Sequence, residues 1–296
     1  MKLRELGEDR LIANLVAGLK SRAGVIAGAG DDCAVVAAPG SDRLLLLKTD
    51  CVVERFHFRP NEKPSAVGRK AMARTLSDFA AMSGVPQFAL ITLVSPPDRA
   101  LRWTKELYRG LRQVADRFGV AIVGGEISST DGPVVISISA VGSVEKDRWV
   151  SRKGGKAGDA LFVTGKLGGS IRKKHLNFIP RIEEARWLTK NFRIHAMMDL
   201  SDGLGADLPR LAKASQVSFE IDERALPRNR GSSIAQAIND GEDYELLFAL
   251  APNDAESLQT KWHKKFPRLL LTCIGHLDQP STIHHHPSFH GYVHFT

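Results

Sequence analysis

Hydrophobic and polar positions alternate along this chain at two different periods. Leu11, Leu15, Val16 and Leu19 fall at helical spacing and predict a helix over residues 8–20. Residues 44–47 form a short apolar run bounded by charge, which reads as a buried strand. Residues 67–82 predict a helix that is apolar almost all round, and residues 88–94 a strand that Pro96-Pro97 ends. An amphipathic helix is expected over 100–118. Strands are expected over 120–123 and 134–144, the latter alternating through Val135, Ile136, Ser137, Ile138 and Ser139. A charged, glycine-rich connection follows, from Glu145-Lys146-Asp147-Arg148 to Lys153-Gly154-Gly155-Lys156. It predicts a boundary between a domain of residues 1–146 and one of residues 147–296. Beyond it the pattern predicts strand 160–164, helix 181–190, strand 195–198, helix 203–214, strands 217–221 and 245–250, and a short strand near 269–274. Strands and helices alternate in both halves, so an α/β or α+β layered fold is expected.

Composition narrows the function classes. A chain of 296 residues that is 43% hydrophobic can bury the cores of two ordinary domains. It contains no run of eighteen uncharged apolar residues, so no transmembrane helix and no membrane partner are expected. The opening residues Met1-Lys2-Leu3-Arg4-Glu5 mix charges and do not resemble a signal peptide. Cys33, Cys51 and Cys273 are odd in number and widely spaced, which fits neither a zinc site nor a disulfide framework and points to a cytoplasmic location. The net charge of +8 can attract nucleic acid or a small anionic substrate. The basic groups at 172–174 and 261–265 lack interleaved aromatics, so nucleic acid is not the expected partner. The histidine tract 284–286 reads as a solvated loop.

Carboxylates gather at the ends of apolar segments. They are Asp31-Asp32 in "GAGDDCAVV", Asp50 in "LLLLKTDCVV", Asp78 in "ARTLSDFAAM", Glu126 in "AIVGGEISS", Asp199 and Asp202 in "MMDLSDGLGADL", and Glu242 with Asp243 in "DGEDYELLF". Asp78 shares a helical face with Val67, Ala71, Thr75 and Met82, so it should be buried and must have a partner: a base such as Arg74, a cap or a cation. Each remaining cluster alone reads equally as a turn, and in "DLSDG" Ser201 or Asp202 could cap the next helix. Together, hard oxygen ligands beside glycines describe a site for Mg²⁺ and phosphate. No Walker or kinase glycine-rich loop is present.

In this order, "GDDCAVV", "TDCVVERFHF", "TLSDFAAMSGVP", "IVGGE", "SRKGGKAGDALFVTG", "DLSDGLGADL", "GEDYELLF" and "GYVHF" resemble the thiamine-monophosphate kinase family over nearly the whole chain. The resemblance implies ATP-dependent phosphorylation of thiamine phosphate to thiamine diphosphate. It also implies the two-domain fold of aminoimidazole ribonucleotide synthase, with a dimerising N-terminal sheet domain, a C-terminal α/β domain, and nucleotide and several Mg²⁺ ions between them. K⁺ is a further candidate cation. By the same resemblance Asp32, Thr49, Asp50, Asp78, Glu126, Asp199 and Asp202 match metal positions. Asp50, Asp78, Arg152 and Asp202 are the catalytic candidates. Gly125, Glu126, Arg152 and Ser201 match nucleotide positions, and His57, Glu242 and Phe289 match substrate positions.

The sequence departs from the family pattern at four places. Lys48 stands where a small metal-binding hydroxyl is usual, and an ammonium cannot ligate Mg²⁺ but can contact phosphate. Glu126 replaces an aspartate. Asp240 replaces a glycine at the substrate wall. The segment after Gly169 is short. These departures keep open a second expectation: a diverged or weakened homologue that binds nucleotide and thiamine phosphate or uses another acceptor.

Overall fold

The computed structural model describes residues 3–280 together with Phe289 and Gly291. The histidine tract at 284–286 and most of the terminal "GYVHF" lie outside the described residues. The chain opens with α1 (Leu3–Leu6), α2 (Glu8–Ala17) and β1 (Val25–Ala27). It divides into two compact units.

One unit comprises Asp32–Trp149 and Lys173–Asn191. It contains β2 (Ala34–Ala37), β3 (Arg43–Val53), α3 (Pro64–Ala81), β4 (Val85–Ser95), α4 (Leu101–Arg117), β5 (Ala121–Ser129), β6 (Val135–Glu145) and α5 (Ile182–Asn191). Its strands lie in the order β2-β3-β6-β4-β5. All neighbours are antiparallel except β4 and β5. Alternate residues of β3, β6 and β4 (Leu44, Leu46 and Val52; Ile136 and Ile138; Ile91 and Leu93) are buried, as a half-covered sheet requires. Helix α3 is buried on nearly every face, from Val67 to Ala81. It lies against α4 closely enough that a Cβ on Gly68 would stand 2.1 Å from the Leu107 carbonyl oxygen, and one on Gly110 1.9 Å from that of Ser65. Glycine here permits backbone approach rather than a special turn.

Glu145 ends β6 opposite Arg43 in the ladder. Its carboxylate is gripped by Arg186 of α5 through two bonds of 2.6 Å and by Arg43 at 3.0 Å. The Arg186 hydrogen bonds, against a smaller opposing effect of burial, hold this carboxyl well below the usual glutamate range. A depressed carboxylate stabilises the fold above its unfolded titration and loses that contribution as the pH falls. Glu145→Gln is therefore expected to be less stable than the parent at pH 7, with the gap closing below about pH 4. Thermal melts across pH check this, and a constant gap would refute it.

The other unit comprises Met1–Asp31, Val150–Arg172 and Phe192–Thr296. It adds β7 (Ala160–Thr164), β8 (Ile194–Asp199), α6 (Leu204–Ser215), β9 (Ser218–Ile221), α7 (Ile234–Asn239), β10 (Leu246–Leu250), α8 (Ala255–Lys265) and β11 (Leu271–Asp278). The sheet order β8-β10-β7-β11-β9 is antiparallel throughout. Of the two expected classes this unit is therefore α+β. Leu204, Leu208 and Leu211 of α6 pack on Val163, Met198 and Leu247 in one core. Among the described residues no helix is long and apolar enough to cross a membrane.

Candidate functional site

Strand β3 carries the first group of site residues. Its even positions point to the covered face, so Lys48 and Asp50 continue the line of Leu44 and Leu46. On α3, Arg74 and Asp78 are four residues apart and share a face. Lys48 Nζ lies 2.9 Å from Asp78 Oδ1, and Arg74 Nε lies 2.7 Å from Asp50 Oδ2. Asp78 is buried, as its helical position predicts. Lys48 meets Asp78, and Arg74, the base expected there, meets Asp50. Burial alone would lower the Lys48 amine. Asp78 and then Asp50 outweigh it and hold the ammonium well above the ordinary lysine value. Asp50 also accepts the Cys51 N–H at 2.9 Å.

Asp32 is buried too, and carboxylate oxygens of Asp32 and Asp78 lie within 4.8 Å of each other. Two acidic groups so placed repel unless a proton or cation comes to them. An all-oxygen donor pair of this kind suits a hard divalent ion.

Two expected companions lie elsewhere. Thr49 faces away from Asp50, opposite Ser139, whose hydroxyl donates to it at 3.3 Å. Glu126 is exposed on β5, in register with Thr92 rather than with the buried Ile91. The period of two along a strand therefore separates the Thr49 and Glu126 side chains from Asp50 and Asp78. Gly125 has no room for a side chain: a Cβ there would stand 1.8 Å from the Ile91 carbonyl oxygen.

His57 sits in the turn after β3. The Val53 N–H donates to its Nδ1 at 3.0 Å, which leaves the proton of a neutral ring on Nε2. The fully buried Lys70 of α3 donates to the His57 carbonyl and fixes the turn.

In the other unit, β8 runs into buried Asp199. The loop beyond it is tied to "GEDYELLF": Tyr244 N–H donates to Leu200 O and Glu242 N–H to Ser201 O. Glu242 and Tyr244 have φ of 65° and 51°. Such left-handed residues persist only where their surroundings enforce them, and they concentrate at functional sites. The capping expectation for "DLSDG" fails, because Gly203 is the N-cap of α6 and no side chain caps it. Instead Asp207 accepts the Asp202 N–H at 3.0 Å, and Arg210 spans Asp202 at 2.5 Å and Asp207 at 3.0 Å. Burial, reinforced by the nearby Asp202 charge, raises the Asp207 carboxyl. The backbone of Arg152 donates to Asp31 at 2.7 Å and accepts from Ser215 at 2.8 Å.

Asp240 is not a bare added charge: its carboxylate accepts the Gly169 N–H at 2.8 Å. Asp243 takes the Gly168 N–H at 3.0 Å and the Ser170 hydroxyl. Glu245 takes the Thr164 hydroxyl at 2.8 Å. The motif marks Asp240 and Asp243 but not their partners: carboxylates drawn in beside a buried strand must find donors, and the glycine loop supplies them. Phe289 stacks on Phe219 with ring centroids 5.5 Å apart and packs on the core.

The fold and these clusters define a class. Residues 30–144 match the family described as AIR synthase related protein, N-terminal domain, and residues 152–266 match its C-terminal domain. The chain is 39% identical to a thiamine-monophosphate kinase of Rhodopirellula baltica, with 86% of each chain covered. It is 34% identical to a thiamine-monophosphate kinase of Aquifex aeolicus over 94% of each. A solved structure described as AaThiL complexed with AMPPCP and TMP superposes with a TM-score of 0.81 at 33% identity, covering 94% of this chain and 93% of that one. This chain belongs to the thiamine-monophosphate kinase family.

Proposed function

We propose that this protein transfers the γ-phosphoryl group of ATP to thiamine phosphate, forming thiamine diphosphate. The observation that carries the reading is the buried Asp32–Asp78 carboxylate pair, set in a chain similar throughout to proteins of this activity. The terminal phosphate oxygen of thiamine phosphate is ionised near neutral pH, so it can attack the γ-phosphorus in line without a strong general base, while the bond from that phosphorus to the β–γ bridging oxygen breaks and ADP leaves. What remains is positioning and charge neutralisation.

The donor chemistry fits Mg²⁺. Asp32 and Asp78 would hold it, and in the other unit we assign Asp199 and Asp202 the same role. Bound there, Mg²⁺ supplies positive charge against the phosphates. Asp50 and Asp202 are each engaged by an arginine but keep further acceptor capacity, which suits bonding to coordinated water. Arg152 and Ser201 are assigned to ATP. His57, Glu242 and Phe289 are assigned to thiamine phosphate. K⁺ is assigned a supplementary role beside the phosphates.

We assign the outer face of the β2–β5 sheet to a second copy of this chain. Leu47, Phe88 and Leu90 project from that face, with Phe88 48% and Leu90 49% exposed. Apolar groups left open in this way mark an interaction surface. We assign the activity to the cytoplasm, a reading that the odd number and wide spacing of Cys33, Cys51 and Cys273 support.

One observation favours the second reading. Asp50, Asp78 and Asp202 all have basic partners, as in a binder that has lost its catalytic metals. Product chromatography with ATP, Mg²⁺ and a panel of acceptors, at several K⁺ concentrations, separates the two. Thiamine diphosphate is the expected product. Calorimetric binding of thiamine phosphate without turnover would favour the binder, and turnover of only another acceptor would reject the assigned substrate.

A further inference from the structure

Strand β3 and helix α3 carry complementary charges in register. Lys48 and Asp50 share a strand face, Arg74 and Asp78 share a helix face, and the pairs close at 2.9 and 2.7 Å. Both bridges are largely shielded: the Lys48 side chain is 23% exposed and that of Asp78 11%. The four charges sum to zero, with Lys48 against Asp78 and Arg74 against Asp50. Asp78 also lies within 4.8 Å of Asp32. One carboxylate thus belongs both to the ammonium and to the acidic pair assigned to the divalent ion.

An ammonium has three donors and no acceptor, so it cannot be a metal ligand. It also repels any second divalent ion that approaches Asp78 from the β3 side. The same positive charge attracts a phosphate oxygen brought to the Asp32–Asp78 pair, and donors not used by Asp78 can bond to it. We propose that Lys48 is a tethered monovalent cation that occupies the place of one divalent ion beside Asp78 and contacts the bound polyphosphate directly. This inference rests on the phosphoryl-transfer reading above. It makes the metal requirement of this chain smaller by one ion than its carboxylates alone would set.

The test counts metal rather than activity. Full-length protein with saturating AMPPCP is titrated with Mn²⁺, and free Mn²⁺ is followed by its paramagnetic resonance signal. Lys48→Ser is expected to bind one Mn²⁺ more per chain than the parent, whereas Lys48→Arg, which keeps the charge, should retain the parent count. Lys48→Gln is a second neutral variant of nearer size and should show the same gain if Lys48→Ser does not fold. An unchanged count in a folded neutral variant overturns the inference. Thiamine diphosphate formation by the parent is measured in parallel. If the parent forms product and the count does not change, only the role of Lys48 falls. If the parent neither forms product nor binds Mn²⁺ with AMPPCP, the phosphoryl-transfer reading falls and takes this inference with it.

Discussion

Asp78→Asn is expected to lower the rate of thiamine diphosphate formation by about 10²–10³-fold, the usual size of effect when a preorganised charge-stabilising group is lost from a phosphate or oxyanion site. The substitution keeps shape and removes one negative charge. The Asp32–Asp78 pair then becomes a single carboxylate, and the 2.9 Å partner of Lys48 loses its charge. Divalent affinity should fall together with the rate, because the carboxylate is assigned to the ion and not to the thiamine ring. Raising Mg²⁺ should restore part of the lost rate. The checks are steady-state rates by product chromatography across Mg²⁺ concentrations, beside a thermal melt that shows the variant folded. A folded variant with activity within tenfold of the parent would remove Asp78 from the machinery.

The largest stability effect is expected from Arg99→Met. Glu54 sits where β3 ends, with its side chain only 6% exposed. Arg99 meets both of its oxygens at 3.0 Å, and the Val134 N–H donates to Oε2 at 3.1 Å. Removing the guanidinium leaves a buried carboxylate with one backbone donor. Breaking a buried pair from one side costs about 3–5 kcal/mol, far more than an exposed pair returns. Arg99 also stands 5.0 Å from the centroid of the Trp103 ring, and that contact disappears with it. Urea unfolding of the parent and the variant measures the loss. The double variant Glu54→Gln with Arg99→Met should recover part of the stability, since it no longer buries a charge. A loss below about 1 kcal/mol for Arg99→Met would mean that water already reaches Glu54.

Much of this architecture is legible in the chain because burial follows a period. The alternation through residues 135–139 set the register of β6, and the all-round apolar helix of residues 67–82 emerged as the central buried helix α3. Strand β3 is longer than its apolar run because Lys48 and Asp50 take positions that apolar residues hold elsewhere in the strand. Charge at those positions hid the strand from a hydrophobic reading. Helix α7 was missed although Ser233 and Gln236 form a capping box, because only six residues follow the cap and none repeats at helical spacing over two full turns. Helix α8 was missed for another reason. It buries only Leu258 and Trp262, too few positions to show a period.

The site was legible as a set of acids but not as a set of pairs. Nothing local in "LLLLKTDCVV" says that Lys48 crosses to Asp78 while Arg74 crosses to Asp50, since those partners are 30 and 24 residues apart. The facing of Thr49 and Glu126 depends on strand register, which one misplaced residue inverts. Asp240 reads from sequence as a charge thrust toward substrate. The fold gives it the Gly169 amide.

The central claim, that Asp32 and Asp78 hold a divalent cation beside the nucleotide, is tested most directly by crystals of the full-length protein grown with AMPPCP and Mn²⁺. An anomalous manganese peak within bonding distance of both carboxylates, next to the phosphates of AMPPCP, is the predicted result. AMPPCP bound with manganese only at other residues, and Asp32 and Asp78 without metal, would contradict the account.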